Sequence, residues 1–257
     1  MLSILRRLLP NSARSALSRL NLPPDHRVYC VGDIHGRCDL LVELHRQIEQ
    51  DLRGYRGNTS LIYLGDYLDR GSSSAEVIDT LLNQPLAMDE VIHLRGNHEQ
   101  AMLDFLQNAE QGRNWLGYGG LETLLSYRAT IGRMPSSSDD LEALRERLSE
   151  SLPPSHLAFL QQTPLFHSLG DCLFVHAGIN PNLPLTEQRA EDLLWIKEGF
   201  TLSEQRWEKV IIHGHTISEK PEVCHNRIGL DTGAFLSGIL TCGVFEKESL
   251  RFLQTGV

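Results

Sequence analysis

The chain has 257 residues, of which 41% are hydrophobic and 22% charged, as is ordinary for one soluble globular domain. Its formal net charge is −9, whereas proteins that bind nucleic acid carry basic surface, so we expect no nucleic-acid partner. Five cysteines without a C-x-x-C pair favour a reduced, cytoplasmic protein over a disulfide framework. No apolar stretch is long enough to predict an integral membrane segment.

Residues 1–24 form a basic N-terminal segment that we expect to be helical or disordered. The segment contains four arginines and no acidic residue, and several of its leucines could share one helical face. The arginines interrupt the apolar run that a secretory signal requires. A packed helix, a frayed tail, a transit-like segment and a helix in peripheral contact with a membrane stay open. Two prolines close the segment, and a single domain is predicted for residues 25–257; the oligomeric state stays open.

Short apolar runs alternate with helical stretches after the N-terminal segment, which predicts a layered α/β domain. The runs are too short for helices and are flanked by glycine or polar residues, so we interpret them as strands. They lie at 28–31, 61–64, 91–94, 173–175 and 210–212. Loops at the carboxyl ends of strands converge in open α/β sheets, so we expect the polar residues there to form one site. A helical insertion is predicted at about 100–166.

Each predicted strand is followed by a loop that contains a candidate metal ligand. The loops read G-D-I-H-G at 32–36, G-D-Y-L-D-R-G at 65–71, R-G-N-H-E at 95–99, H-A-G at 176–178 and G-H-T at 214–216. The six candidate ligands are Asp33, His35, Asp66, Asn97, His176 and His215. Imidazole combined with carboxylate and amide oxygens suits Mn²⁺, Fe or Zn²⁺ better than Ca²⁺. Six ligands exceed the needs of one hydrolytic metal, so the sequence predicts two divalent ions that share one carboxylate.

A site with two metal ions suits the hydrolysis of phosphoesters. Two cations roughly 3.5–4 Å apart can activate a bridging water and hold the phosphate oxygens. Two aspartates offset only half of the charge of two divalent ions. The remaining charge of about +2 would attract a phosphate dianion despite the acidic chain.

The ordered set of five loops resembles the phosphoprotein phosphatase (PPP) family of calcineurin-like metallophosphoesterases, over about residues 27–246. The run R-G-N-H-E-Q and L-D-T-G-A at 230–234 are similar to the bacterial and phage-type serine/threonine protein phosphatases. The resemblance implies a central β-sandwich flanked by helices. It also implies a phosphorylated protein as substrate, hydrolysed at phosphoserine and phosphothreonine, with looser action on phosphotyrosine. Mn²⁺ is the preferred cofactor, with Fe or Zn²⁺ as alternatives.

The same resemblance implies a role for each matching residue. One metal ion would be held by Asp33, His35 and Asp66, and the other by Asp66, Asn97, His176 and His215. A hydroxide that bridges the ions would attack the phosphorus. His98 would be the general acid, with Asp69 hydrogen-bonded behind it. This agrees with elementary chemistry, since a serine alkoxide leaves poorly without a proton and a carboxylate keeps an imidazole charged and oriented.

Three cationic residues are predicted to bind the substrate phosphate. Arg70 and Arg95 lie in matching motifs, and a guanidinium fork fits two phosphate oxygens at once. Lys197 stands where the bacterial members commonly carry another arginine. Because lysine keeps the charge but lacks the fork, weaker phosphate binding is expected there.

Other functions stay open beside the protein phosphatase. Symmetrical diadenosine tetraphosphate hydrolases share the core and usually have N-H-D where this chain has N-H-E, so Glu99 favours a phosphatase modestly. A non-catalytic binding module of the same fold is disfavoured because every predicted ligand and His98 are present. A metal-dependent nuclease is disfavoured by the net charge of −9. The D-T-G tripeptide that begins at Asp231 is typical of aspartic proteases, but no second copy exists, so we assign it no role.

Overall fold

The computed structural model describes residues 18–131 and 134–256. The first sheet contains β1 (His26–Val31), β2 (Asn58–Tyr63), β3 (Glu90–His93), β9 (Thr241–Glu246) and β10 (Ser249–Gln254). The second sheet contains β4 (Phe166–Leu169), β5 (Cys172–Val175), β6 (Val210–His213), β7 (Glu222–Val223) and β8 (Arg227–Gly229). The strand orders are β10-β9-β1-β2-β3 and β4-β5-β6-β8-β7.

Each sheet contains three parallel strands, and these position the candidate site. In the first sheet β1 pairs in parallel with β2, and β2 with β3. In the second sheet β5 pairs in parallel with β6, and β6 with β8. The remaining pairs are antiparallel. The loops that follow the parallel strands therefore leave each sheet at one edge.

The alternation of side chains along the strands builds two cores. Val28 and Cys30 of β1 pack between the sheets with Phe174 of β5 and Ile212 of β6. Tyr29, which lies between Val28 and Cys30, belongs instead to the core that the first sheet shares with the helices. Successive residues of a strand point to opposite faces, so β1 contributes to both cores. The two sheets pack face to face as a sandwich.

Helices cover the outer surfaces of the sandwich. They are α1 (Cys38–Leu52), α2 (Ser74–Asn83), α3 (Asn97–Gln107), α4 (Gly112–Trp115), α5 (Leu121–Ser126), α6 (Ser138–Ser151), α7 (Pro154–Gln162), α8 (Ala190–Trp195), α9 (Glu198–Thr201) and α10 (Ala234–Ser237). Leu41, Leu44 and Ile48 recur at helical spacing on α1 and are buried in the core under the first sheet. Helices α3 to α7 lie between β3 and β4, in the block predicted as a helical insertion. The predicted central β-sandwich flanked by helices is confirmed.

The basic N-terminal segment is described only from residue 18 onward, so most of what was predicted for residues 1–24 lies outside the described residues. Leu20 and Leu22 are buried in the core between the sheets, and the carbonyl of Asn21 accepts the backbone N–H of Asp171. The packing of the domain thus extends into the predicted N-terminal segment. In residues 18–131 and 134–256 no helix has the length and apolar character to cross a bilayer.

Candidate active site

The loops after β1, β2, β3, β5 and β6 meet at one edge of the sandwich and bring the six predicted ligands together. Asp66 lies at the centre, and its two carboxylate oxygens face different histidines. Its Oδ2 atom lies 3.4 Å from His35 Nε2 and 3.8 Å from His98 Nε2. Its Oδ1 atom lies 3.4 Å from His176 Nε2, and His176 Nε2 lies 2.8 Å from the amide oxygen of Asn97.

Two groups of candidate ligand atoms share this carboxylate. The atoms of His35, Asp66 and His98 lie within 4.8 Å of one another, and so do those of Asp66, His176 and His215. A carboxylate that faces two groups of imidazoles is what two ions sharing one aspartate require.

The orientation of the histidines fits metal ligation. The Nδ1 atoms of His35 and His176 lie 2.9 Å from the carbonyls of Leu68 and Leu64. Such a bond holds the proton on Nδ1 and leaves the Nε2 lone pair for a metal. Nε2 of His35 and of His215 is buried without a hydrogen-bond partner among the described residues. A buried polar atom without a partner is costly, and a cation would satisfy both.

Three buried carboxylates make the same site electrostatically receptive to cations. Burial, with the neighbouring Asp231 and Asp66, raises the pKa of Asp33 well above its usual range. Burial also raises the pKa of Asp231 to about 6. Burial opposes the ionisation of Asp66, but the surrounding histidines hold its pKa below the ordinary value. Divalent cations would offset the repulsion among these groups.

Asp231 is a site residue that the sequence analysis dismissed. It is 2% exposed, and its pKa responds to a side-chain hydrogen bond with Asp33. Its Oδ1 atom accepts the backbone N–H of Gly233 at 2.8 Å. The available signal was its position directly behind a strand, since Asp231 follows β8 as the other site residues follow theirs.

The backbone of the site adopts conformations that are rare for residues with side chains. Five non-glycine residues here have positive φ: His35 (48°), Asp66 (53°), Asp69 (70°), Arg70 (67°) and His215 (61°). Each such conformation costs about 1–2 kcal/mol, so the packing around the site must stabilise it. Neighbouring glycines make room, since a Cβ at Gly96 would lie 2.1 Å from Asp66 Oδ1 and one at Gly214 would lie 2.0 Å from Asp33 Oδ1.

Glu99 supports the Asp66 loop from below. Its carboxylate is 0% exposed and accepts the backbone N–H groups of Asp66 and Gly96 at 2.8 Å and of Tyr67 at 2.9 Å. A carboxylate with this surrounding does not reach a substrate. The structure gives Glu99 a supporting role for this loop, and its use in choosing between a protein phosphatase and a dinucleotide hydrolase stays a prediction.

His98 and Asp69 form a buried pair beside Asp66. His98 Nδ1 lies 2.7 Å from Asp69 Oδ2. The Asp69 carboxylate also accepts the indole N–H of Trp115 at 3.0 Å and the hydroxyl of Thr123 at 2.6 Å. Burial opposes protonation of His98, but the carboxylates of Asp66 and Asp69 raise its pKa above the ordinary value. The pair is therefore suited to hold and transfer a proton, and the sequence analysis missed Trp115 and Thr123.

Two of the three predicted phosphate-binding cations lie beside this cluster. Arg70 Nη2 lies 3.1 Å from His98 Nε2, and the Arg70 guanidinium lies over the ring of Phe235, 4.7 Å from its centroid. Lys197 is exposed. Burial lowers the pKa of His215 to about 3, with smaller contributions in the same direction from His176 and Lys197.

Arg95 has hydrogen-bond acceptors within the protein, and its role in phosphate binding stays a prediction. Its guanidinium donates to the hydroxyl of Thr163 at 3.1 Å, to the Gln100 side chain at 2.9 Å and to the carbonyl of Gln161 at 2.8 Å. All three nitrogen atoms are occupied by these acceptors. Arg95 thus connects the end of β3 to the end of α7.

Two aromatic residues that the sequence analysis gave no role lie beside the histidines. Tyr118 is 39% exposed, and its ring centroid lies 6.2 Å from that of His98. Trp195 is partly buried, with its ring centroid 6.3 Å from that of His215. The two aromatic rings contact each other at 5.4 Å between centroids.

Residues 26–233 match the family model described as calcineurin-like phosphoesterase. The chain belongs to this family. The match confirms the fold predicted from the ordered loops, and it confirms a hydrolase of the metallophosphoesterase class, whose members use a divalent metal centre.

Proteins similar to this chain carry names that refer to different phosphorylated substrates. Bis(5'-nucleosyl)-tetraphosphatase PrpE (asymmetrical) of Anoxybacillus flavithermus is 24% identical over 232 residues, which span 82% of this chain and 87% of that protein. A solved structure of a candidate diadenosine tetraphosphatase has a TM-score of 0.60 at 19% identity, covering 91% of this chain and 96% of that one. A protein serine/threonine phosphatase of Saccharomyces cerevisiae has a TM-score of 0.50 at 14% identity, covering 94% and 86%. At these identities both structures show the fold alone.

The comparisons thus favour the alternative over the main prediction. The chain's curated relatives carry the names of dinucleotide hydrolases, whereas the predicted membership among serine/threonine protein phosphatases is not confirmed. The sequence analysis kept a symmetrical dinucleotide hydrolase open, and the name of the relative specifies asymmetrical cleavage.

Proposed function

We propose that this chain is a metal-dependent hydrolase of dinucleoside polyphosphates. The observation that carries the reaction class is the Asp66 carboxylate, whose two oxygens face separate histidines. The names of the curated relatives support the choice of substrate. A polyphosphate bridge offers several charged oxygens to a site of this kind.

The donor set of the site fits two divalent ions. The ligands would be Asp33, His35 and Asp66 for one ion, and Asp66, Asn97, His176 and His215 for the other. Such ions, when bound, lower the pKa of a coordinated water and offset the charge on phosphate oxygens. Mn²⁺ is our first choice for this mixed donor set, with Fe or Zn²⁺ as alternatives.

Arg70 and Lys197 would bind phosphate oxygens, and Arg70 also affects the proton on His98. An arginine only donates hydrogen bonds, so in the contact with Arg70 the Nε2 atom of His98 accepts and the proton lies on Nδ1, facing Asp69. A phosphate that binds the guanidinium frees Nε2 to carry a proton. His98 can then protonate the leaving oxygen, while Asp69 stabilises the charged ring.

Hydrolysis of phosphoserine or phosphothreonine is the second candidate function, and the buried His98–Asp69 pair favours it. A serine alkoxide is a poor leaving group and depends on a general acid, whereas a nucleoside phosphate leaves more readily. We rank it second because the curated relatives carry the names of dinucleotide hydrolases.

Turnover of diadenosine tetraphosphate and of a phosphoserine peptide, with defined Mn²⁺, tests this order. We expect kcat/KM to be higher for the dinucleotide by at least about tenfold, or ~1.4 kcal/mol of transition-state stabilisation. Product analysis separates asymmetrical cleavage, which yields a monophosphate and a triphosphate, from symmetrical cleavage, which yields two diphosphates. A preference for the peptide would reverse the order. Two bound metal equivalents without turnover of either substrate would favour the non-catalytic binding module.

A further inference from the structure

Tyr118 and Trp195 form an aromatic wall beside the candidate metal ligands. Their ring centroids lie 5.4 Å apart at an interplanar angle of 54°, so neither ring covers the face of the other. Tyr118 lies next to His98, and Trp195 lies next to His215. The Tyr118–Trp195 wall thus extends from the proposed general acid to a proposed metal ligand.

A role in the hydrophobic core does not explain Tyr118. Trp115, one helical turn earlier, is 0% exposed and donates its N–H to Asp69. Tyr118 is 39% exposed, and its hydroxyl has no hydrogen-bond partner in the described part of the chain. The indole N–H of Trp195 likewise has none among residues 18–131 and 134–256. Large aromatic side chains with a free polar tip are typical of surfaces that bind a ligand.

The backbone around Tyr118 is unusual and is tied to Arg70. A kink separates two helical segments at Leu116–Gly120, where Gly119 has a φ of 107°. Glycine adopts this conformation without the steric cost that a side chain would add. The carbonyl of Gly119 accepts the backbone N–H of Arg70 at 3.2 Å. The backbone that carries Tyr118 is therefore hydrogen-bonded directly to the backbone of Arg70, whose guanidinium is proposed to bind phosphate.

We propose that the Tyr118–Trp195 wall stacks a nucleobase of the substrate, an inference that rests on the proposed dinucleotide function. A nucleotide presents an aromatic ring one sugar away from its phosphate, so a phosphate at the metal ligands places a base beside them. Stacking of a base on an aromatic side chain contributes ~1–3 kcal/mol and accepts any base. Phe235, another aromatic residue near the ligands, already has the Arg70 guanidinium over its ring. A phosphopeptide, in contrast, does not always have an aromatic ring at a comparable distance from its phosphate.

The charge next to the wall fits the rest of the same substrate. Lys197 lies two residues after Trp195, is exposed and has no ion pair in the described residues. A dinucleoside polyphosphate carries further phosphates beyond the one at the metal ligands. The ammonium of Lys197 is available to these phosphates while the base lies on the wall.

Calorimetric binding of AMP and of ribose 5-phosphate to the Mn²⁺-loaded protein tests the wall directly, because the two ligands differ only in the base. We expect AMP to bind about 5- to 150-fold more tightly, the equivalent of ~1–3 kcal/mol. Tyr118→Leu should remove most of this advantage and leave the affinity for ribose 5-phosphate unchanged, whereas Tyr118→Trp should keep it. Trp195→Leu is a second, independent variant with the same expected effect.

Phe166→Ala provides the matched control, since Phe166 is an exposed aromatic residue of β4, 49% exposed, and we expect no effect on either ligand. Equal affinities of the wild-type protein for AMP and ribose 5-phosphate would contradict base stacking on the wall. Equal losses of affinity for both ligands in Tyr118→Leu would contradict it as well. An AMP advantage that depends on Tyr118, without turnover of diadenosine tetraphosphate, would keep the wall and refute the proposed substrate. Turnover of diadenosine tetraphosphate without an AMP advantage would support the proposed substrate and refute base stacking on the Tyr118–Trp195 wall.

Discussion

The floor of the site consists of Asp66 and the histidines around it, which are buried on loops that follow strands. The opening of the site consists of Tyr118 and Trp195, which lie on helical segments and are partly exposed. The floor requires fixed positions because it concentrates charge, and its strained backbone is held by glycines and by Glu99. The opening needs only a surface of the right chemistry. Reaction class and substrate choice therefore depend on different parts of the chain and should respond separately to mutation.

The largest effect should come from Asp66→Asn at the floor. This change removes a charge that both proposed ions share, and metal ions supply several kcal/mol of transition-state stabilisation. We expect turnover to fall by roughly a thousandfold or more and metal content after dialysis to fall, measured by elemental analysis. Asp39→Asn, at an aspartate on the surface paired with Arg37, is the control and should retain both. Full metal content with full activity in Asp66→Asn would contradict the central role of this carboxylate.

The second change tests the proton donor at the floor. We expect His98→Asn to slow the hydrolysis of phosphoserine by about 10²–10⁴-fold, and to slow that of nitrophenyl phosphate, which has a good leaving group, far less. Parallel kcat measurements on the two substrates show the difference. His225→Asn, at a partly exposed histidine, should affect neither. If both substrates lost the same factor in His98→Asn, the general-acid assignment would fail.

Trp115→Phe tests the connection between the helical block and the floor. The variant keeps an aromatic ring but loses the hydrogen bond to the Asp69 carboxylate, and a bond to a charged group contributes ~1.5–3 kcal/mol. We expect a loss of about tenfold or more on the poor leaving group and a smaller loss on the good one. The matched control is Trp207→Phe, because the buried indole N–H of Trp207 has no acceptor among the described residues. A loss of the same size in the control would show that Trp115 only contributes packing.

The floor could be predicted from the sequence because each of its residues follows an apolar strand within a few positions. A strand's carboxyl end specifies where the next loop begins, so Asp33, Asp66 and His215 could be placed together without any long-range information. Trp115 and Thr123 could not, since they reach Asp69 from 46 and 54 residues away in a block without a motif.

Arg95 shows a second limit of sequence analysis. Its hydrogen-bond acceptors could not be predicted, because the direction of a long side chain depends on acceptors that only the fold supplies, and one of these is Thr163, 68 residues later. The aromatic wall was missed for a related reason: Tyr118 and Trp195 come from distant helical segments that meet only in three dimensions.

A change outside both regions should alter stability and leave the chemistry intact. His45 is 7% exposed, with Nε2 2.7 Å from the hydroxyl of Tyr63, and burial lowers its pKa to about 4. Below the unfolded-state pKa of about 6.5, the unfolded chain binds a proton that the folded chain excludes. The contribution of this histidine to the free energy of unfolding should therefore be constant above about pH 6.5 and fall as the pH decreases towards 4, by up to roughly 3 kcal/mol.

Urea unfolding between pH 4 and 8 measures this dependence. His45→Gln should make the slope below pH 6.5 shallower, and the slope that remains is expected from the other buried titratable groups, among them His93, whose burial likewise lowers its pKa to about 4. His225→Gln, at a partly exposed histidine, is the control variant. Turnover at pH 7.5 should be unchanged in both variants, because His45 contacts neither the floor nor the wall. An unchanged slope in His45→Gln would mean that His45 takes up its proton in the folded chain as readily as in the unfolded one, and that the hydrogen bond with Tyr63 does not keep it neutral.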